Sequence, residues 1–178
     1  MKKIYAYLFV LVFGLVIWFQ SDLGAIAESS DLNKTLIADL NQASQLQHQG
    51  LYRRSRQQLE RLESKLAAAP DSEIKVKGLL QLANILNLTG GNSDHIKSLL
   101  NQAKTIAERL DVIEPNIELN IKSDQMRSLR ALTEFHRGNF YAFQQQPIEA
   151  QIAYETALNL NPKTDLTLMI QEIGRAHV

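Results

Sequence analysis

Apolar residues recur every three or four positions from Leu32 almost to the C-terminus. This spacing places side chains on one face of an α-helix and predicts a chain built from amphipathic helices. No stretch shows sustained two-residue alternation with β-branched residues, so the sequence predicts no sheet. Six predicted helices of 12 to 20 residues are separated mostly by short turns. The sequence therefore predicts an all-α fold in which consecutive helices lie antiparallel.

Glycine, proline and capping residues mark the ends of the first four predicted helices. Gly50 interrupts the first apolar run, Pro70 ends the second, and Gly90-Gly91 ends the third. Side chains that can accept a hydrogen bond from the first helical turn precede the third and fourth helices. These candidates are Asp71 or Ser72 for the third helix and Asn92 or Ser93 for the fourth.

The second half of the chain predicts a longer connection followed by three more helices. Residues 111–122 contain Pro115 and are less regular, so we expect an irregular connection there. A fifth helix is predicted from Ser123 or Asp124 to about Phe143, and a sixth over residues 148–160. A seventh is predicted to begin near Lys163.

The first 27 residues have the pattern of a signal peptide. Two lysines precede an apolar run over residues 4–19, and Ala25-Ile26-Ala27 is a small-x-small cleavage pattern. Sixteen helical residues rise only ~24 Å, less than the ~30 Å hydrocarbon core of a bilayer. We expect cleavage after Ala27, with no stable membrane span afterwards, and export of residues 28–172 to the periplasm or the medium. The alternative is an uncleaved anchor in the inner membrane, which also leaves the rest of the chain outside the cytoplasm.

Composition excludes several classes of function. The chain has no cysteine, which rules out disulfides, thiolate nucleophiles and cysteine zinc sites. Nineteen basic and nineteen acidic residues argue against nucleic-acid binding driven by bulk charge. The second helix is locally basic, and we interpret this as a solvated face rather than a patch for RNA or lipid headgroups. Its arginines are Arg53, Arg54, Arg56 and Arg61, and Arg56 can pair with Glu60 one turn away.

No catalytic or metal-binding motif is present. The sequence contains no His-Glu-x-x-His, no phosphate-binding loop and no Gly-x-Ser-x-Gly. Asp111 and Glu114 form a weak carboxylate pair, and the other carboxylates are scattered as on a solvated face. We expect the histidines on the surface and predict no enzymatic activity and no cofactor. They are His48, His95, His136 and His177.

The segment 131–164 carries a repeat pattern. Counted from Ala131, small residues at positions 8, 20 and 27 would let two helices approach closely. Large residues at positions 11 and 24 would fill gaps between hairpins. A proline at position 32 would end the second helix. These residues are Gly138, Tyr141, Ala150, Tyr154, Ala157 and Pro162. The pattern resembles a tetratricopeptide repeat. It departs from that family at Glu134, where a large residue is usual.

Two weaker copies can be aligned in the same frame, over residues 36–69 and 77–110. The resemblance implies a right-handed α-α superhelix of antiparallel hairpins over residues 28–172, with insertions between repeats. The alternative is an ordinary helical bundle.

The resemblance also implies where a partner would bind. In such arrays the first helices of the hairpins line the concave side, and Asn139 falls where the family often holds a ligand peptide. The family's carboxylate clamp of lysine and arginine is missing, so we expect an extended or helical protein segment and not a free C-terminus. The alternative is that Phe135 and Phe143 pack into the adjacent insertion. The groove candidates are Phe135, Asn139, Phe143, Gln81 and Ile85.

Exported arrays of this kind, with glutamine-rich helices, resemble the N-terminal regions of large cyanobacterial proteins in which repeats precede a caspase-like CHAT peptidase domain. The leading hypothesis is an interaction scaffold, and the alternative is the regulatory array of such a peptidase, truncated here. Residues 173–178 are unlike the rest and coincide with one reading frame of a common sequencing adapter. We expect them to be a non-native tail.

Overall fold

The computed structural model describes residues 32–112 and 119–161. Within these ranges the chain forms six helices and no strand, which confirms the predicted all-α fold. The helices are α1 (32–48), α2 (Tyr52–Ala68), α3 (Glu73–Leu88), α4 (Ser93–Val112), α5 (Leu119–Phe143) and α6 (Pro147–Leu160). The predicted signal peptide at 1–27, the seventh helix, Pro162 and the tail at 173–178 lie outside the described residues.

The turns follow the local chemistry of the sequence. The Ser72 hydroxyl accepts a hydrogen bond from the Lys75 N–H at 3.2 Å and caps α3. The Asn92 side chain accepts one from the His95 N–H at 2.9 Å at the start of α4. Gly50 and Gly90 have φ of 73° and 71°, the left-handed conformation that glycine tolerates at the end of a helix.

The connection between α4 and α5 is shorter than the sequence predicted. Helix α4 extends to Val112, and α5 already begins at Leu119 instead of Ser123 or Asp124. The only proline or glycine in residues 111–122 is Pro115, and a proline excludes helix only in its immediate neighbourhood. The residues that follow it can therefore start α5 one turn early.

Consecutive helices pack antiparallel, as predicted. Asp71, just before α3, pairs with Arg109 near the end of α4 at 2.9 Å. Two ion pairs at 2.6 Å, Lys104–Glu134 and Asp111–Arg130, show the same for α4 and α5. The later residue of α4 pairs with the earlier residue of α5, as in antiparallel helices. In addition α3 packs against α5, and the Gln81 side chain of α3 reaches the Leu40 carbonyl of α1 at 3.4 Å. The first helices of three successive hairpins, α1, α3 and α5, thus run parallel and side by side.

Two apolar clusters hold the helices together. The larger one is rich in leucine, with buried residues from all of α1 to α5, among them Leu36, Leu59, Leu79, Ile96 and Phe140. The smaller one lies in the last hairpin and contains Ala131, Phe135 and Ala157, with Tyr154 and Leu160 packed against them.

Candidate functional site

A cavity of about 530 Å³ lies between the first helices of the three hairpins. We call it the α1–α3–α5 groove. Eleven residues line it: Ile37, Leu40, Asn41 and Ser44 from α1, then Glu73, Ile74, Lys77, Leu80 and Gln81 from α3, and Leu132 and His136 from α5. The spacing within each helix is three or four residues for most of these positions, as one exposed stripe requires.

The groove is apolar with uncharged polar groups at intervals. Glu73 and Lys77 pair with each other at 2.6 Å, so their charges compensate. The Gln81 amide spans the space between α3 and α1 by its long hydrogen bond to Leu40. A second cavity of about 400 Å³ shares Glu73, Lys77 and Leu132 with the groove and extends it towards the beginning of α5.

His136 is the unusual group of the groove. Its Nδ1 is buried without a hydrogen-bond partner among the described residues, and its ring meets the Phe135 ring edge-on at 5.7 Å. Burial lowers the pKa of His136 from 6.5 to about 4 because the charged imidazolium would lose its hydration. The expectation of a surface histidine is therefore wrong for His136, whose ring is half-buried in the wall of the groove. It is neutral at pH 7.

Among the residues proposed for a peptide groove, Gln81 lines the cavity, whereas Ile85 and Phe135 do not reach it. Ile85 is fully buried in the leucine-rich cluster. Phe135 is 3% exposed and packs on Ala157 and Tyr154 of α6. At 100° per residue Phe135 lies about 60° from Leu132 around α5, on the side that faces α6. Both residues therefore belong to the core, and this corrects their proposed place in an accessible groove.

The other two candidates lie further along α5, on the stripe of Leu132 and His136. Successive steps of three or four residues lead from His136 to Asn139 and Phe143. The Asn139 side-chain oxygen accepts a hydrogen bond from the Tyr154 hydroxyl at 2.9 Å, so it is held against α6. Phe143 is 58% exposed at the end of the helix.

The repeat-pattern residues of the last hairpin lie where α5 and α6 meet. A Cβ on Gly138 would come within 2.4 Å of the Tyr154 ring, so the missing side chain is what admits the tyrosine. Ala150 and Ala157 are buried on the opposing helix. Tyr141 packs instead against the leucine-rich cluster of the preceding helices.

Among the described residues Tyr154 contacts its own hairpin: its ring lies tilted against the Phe135 ring at 6.0 Å, and its hydroxyl donates to Asn139. The sequence had placed it in a gap between hairpins. Burial raises the pKa of Tyr154 to about 12.

Glu134 is a buried charge that the sequence placed on a solvated face. Its carboxylate is 7% exposed and receives the Lys104 ammonium at 2.6 Å and the Arg137 guanidinium at 2.7 Å. Burial works against the Arg137 charge, but the Glu134 carboxylate and the Tyr141 hydroxyl outweigh it and raise the pKa of Arg137. The departure of Glu134 from the repeat pattern is the only signal of this cluster in the sequence. Lys104 lies thirty residues away along the chain, so its contact with Glu134 follows only from the tertiary fold.

Other predicted polar features lie outside the groove. The Arg56–Glu60 pair is confirmed at 2.8 Å. Asp111 pairs with Arg130, while Glu114 lies outside the described residues. No group of three or more histidine, aspartate or glutamate side chains in residues 32–112 and 119–161 could hold a metal ion. None of the helices in this part of the chain is both long enough and apolar enough to span a bilayer.

Comparison of the chain with protein-family models, with curated proteins and with solved structures gives no significant match.

Proposed function

We propose that this chain is an exported interaction scaffold, a tetratricopeptide-like array of helical hairpins that holds a partner segment in the α1–α3–α5 groove. The observation that carries the proposal is the origin of the groove: all eleven residues that line it come from α1, α3 and α5, the first helices of the three hairpins. A surface assembled in this way repeats along the array and suits an elongated ligand.

The packing of the helices supports an array. The first helices run parallel, each hairpin packs on the next, and the last hairpin closes around Gly138 and the alanines of α6. These are the contacts expected of stacked hairpins with small residues at their crossings. On this interpretation, the stacked hairpins form the right-handed superhelix implied by the resemblance.

The lining of the groove defines the chemistry of the partner. Aliphatic side chains such as Ile37, Ile74 and Leu132 offer contacts to apolar residues, and Asn41 and Gln81 offer amide hydrogen bonds. The single acidic and single basic lining residues neutralise each other, so the groove does not select a charged terminus. We therefore propose an apolar and uncharged protein segment, extended or helical, as the ligand.

A matched pair of substitutions tests the groove. Asn41→Lys places a charge in the groove, whereas Asn101→Lys makes the same change on an exposed position of α4 outside it. Both proteins, with a photoreactive amino acid in place of Ser44, would be used to capture partners from the envelope fraction of the source cells. We expect Asn41→Lys to reduce the captured partner at least tenfold and Asn101→Lys to leave it unchanged, at equal thermal stability of the two variants. Equal capture by both variants would remove the groove from the proposal.

A further inference from the structure

The exposed large apolar side chains of the described residues are concentrated at one edge of the molecule. Seven such side chains are exposed in this part of the chain, and five of them flank the turns inside the three hairpins. These five are Leu51, Tyr52, Leu88, Phe143 and Ile148. We call the surface they form, with the neighbouring arginines Arg53, Arg54 and Arg56, the hairpin-turn edge.

The three turns lie at the same edge because the parallel first helices meet in the groove at Leu40, Gln81 and His136, which lie seven or eight residues before the ends of their helices. Leu40 of α1 and Gln81 of α3 are in contact. From Leu40, α1 continues to residue 48, a rise of roughly 12 Å at 1.5 Å per residue. From Gln81, α3 continues to Leu88, a rise of roughly 10 Å. The Arg56 guanidinium also donates to the Thr89 carbonyl at 3.2 Å and so ties the N-terminal part of α2 to the turn between α3 and α4.

The hairpin-turn edge is basic where the first two turns meet. Arg53 and Arg54 are exposed and have no ion-pair partner among the described residues, while Arg56 is engaged by Glu60 and Thr89. These arginines share a surface hollow of about 940 Å³ with Leu51, Tyr52 and Leu88. Unpaired guanidinium groups therefore stand directly beside exposed apolar side chains.

The opposite edge of the molecule has a different character. Two ion pairs lie there among the described residues, Asp71–Arg109 and Asp111–Arg130. None of the exposed large apolar side chains of residues 32–111 and 124–161 flanks the α2–α3 connection. The α2–α3 connection therefore lacks the exposed apolar side chains of the hairpin-turn edge.

We propose that the hairpin-turn edge docks peripherally on an anionic bilayer surface. Apolar side chains from several turns can enter the boundary between headgroups and acyl chains, and tyrosine suits that boundary because its ring is apolar and its hydroxyl polar. Arginine binds lipid phosphates in a bidentate manner. A row of three turns contacts a plane more fully than it contacts a single peptide, and this favours a membrane over an acidic protein segment. The proposal is independent of a ligand in the groove.

Vesicle binding of the full chain tests the charge part of the proposal. Arg53→Gln/Arg54→Gln removes two unpaired charges from the edge, and Arg61→Gln/Lys97→Gln removes two exposed charges elsewhere. On vesicles of phosphatidylcholine and phosphatidylglycerol at 3:1 we expect the first variant to bind at least tenfold more weakly than the second. All variants carry the same leader, so only their difference is interpreted. Equal binding of the two variants would overturn the proposal.

A local probe tests the contact itself. The chain has no cysteine, so Tyr52→Cys can be labelled with an environment-sensitive NBD dye, with Gln102→Cys on α4 as the matched control. Anionic vesicles should blue-shift and brighten the dye at position 52 and leave the dye at position 102 unchanged. No change at position 52, or equal changes at both positions, would contradict membrane docking. Binding of an oligoglutamate peptide with no response to vesicles would point to an acidic protein partner and would also overturn it.

Discussion

The first four helices and the last hairpin are stabilised by different kinds of contact. Between α1 and α4 the core consists mainly of large aliphatic side chains, such as Leu59, Leu66 and Leu79, that fill the space between helices. Between α5 and α6 the contact depends on small residues, since Gly138 admits the Tyr154 ring and buried alanines face it. One region is held by the bulk of its side chains and the other by the close approach of its helices.

The comparison explains why the two regions carry unequal sequence signals. Many arrangements of leucine fill a core equally well, so the first two hairpins look like any amphipathic helices. Close approach permits only a few residue types at fixed positions, so the last hairpin carries a recognisable repeat pattern. A clear motif therefore reports the geometry of a contact and not its share of the stability.

The largest effect should come from truncating a leucine of the main core. Leu59 is completely buried, and Leu59→Ala removes its methyl groups and leaves a cavity. We expect a loss of about 2–5 kcal/mol in the free energy of unfolding, measured by urea denaturation followed by circular dichroism. Leu88→Ala makes the same change at a residue that is 56% exposed and should cost under about 0.5 kcal/mol. Similar losses for both would show that the main core is not where the structure places it.

The next effect concerns the charge cluster that joins the two regions. Glu134→Gln leaves the Lys104 and Arg137 side chains, which are 36% and 20% exposed, without their shared carboxylate. Since these cations keep some hydration, we expect a loss of about 1–3 kcal/mol, below that of a fully buried pair. Asp111→Asn breaks a more exposed pair with Arg130 and should cost under about 1 kcal/mol. Chemical denaturation of both variants would check the order, and a reversed order would contradict the burial of Glu134.

A smaller effect tests the close approach in the last hairpin. Gly138→Ala adds a Cβ that meets the Tyr154 ring, with an overpacking cost of about 1–3 kcal/mol that a better helix propensity offsets by about 1 kcal/mol. We expect a net loss of about 1 kcal/mol. In a Tyr154→Leu background the space is open, and the same substitution should be neutral or stabilising. A double-mutant cycle without coupling between the two positions would refute the contact.

An effect of similar size is a dependence on pH. The pKa of His136 is lowered to about 4, so below the ordinary value of 6.5 the unfolded chain binds a proton that the native chain excludes. Stability from this group is thus complete above pH 6.5 and is lost as the pH falls towards 4. Between pH 7 and pH 5 we expect a loss of about 1 kcal/mol, reduced from the full shift because the ring is partly exposed. His136→Gln should unfold with a shallower pH dependence over this interval. If the pH dependence of the free energy of unfolding did not change, His136 would be exposed to solvent and not half-buried.

The sequence was sufficient for the helices and for several of their ends. Ser72, Asn92 and Gly90 act through neighbours within one helical turn, so their roles could be predicted locally. The buried state of Glu134 and His136 could not, because it depends on residues of other helices that only the tertiary fold brings near. The same holds for Phe135. Its periodicity fits a groove or a core equally, and the position of α6 decides between them.

The proposed function depends on the groove, and cysteine protection tests the groove most directly. Single cysteines at Asn41 and Gln81, which line the groove, and at Gln102 on α4 would be labelled with a maleimide, with and without the captured partner present. We expect the partner to slow labelling at positions 41 and 81 at least tenfold and to leave labelling at position 102 unchanged. Protection at position 102 with free reaction at 41 and 81 would contradict it.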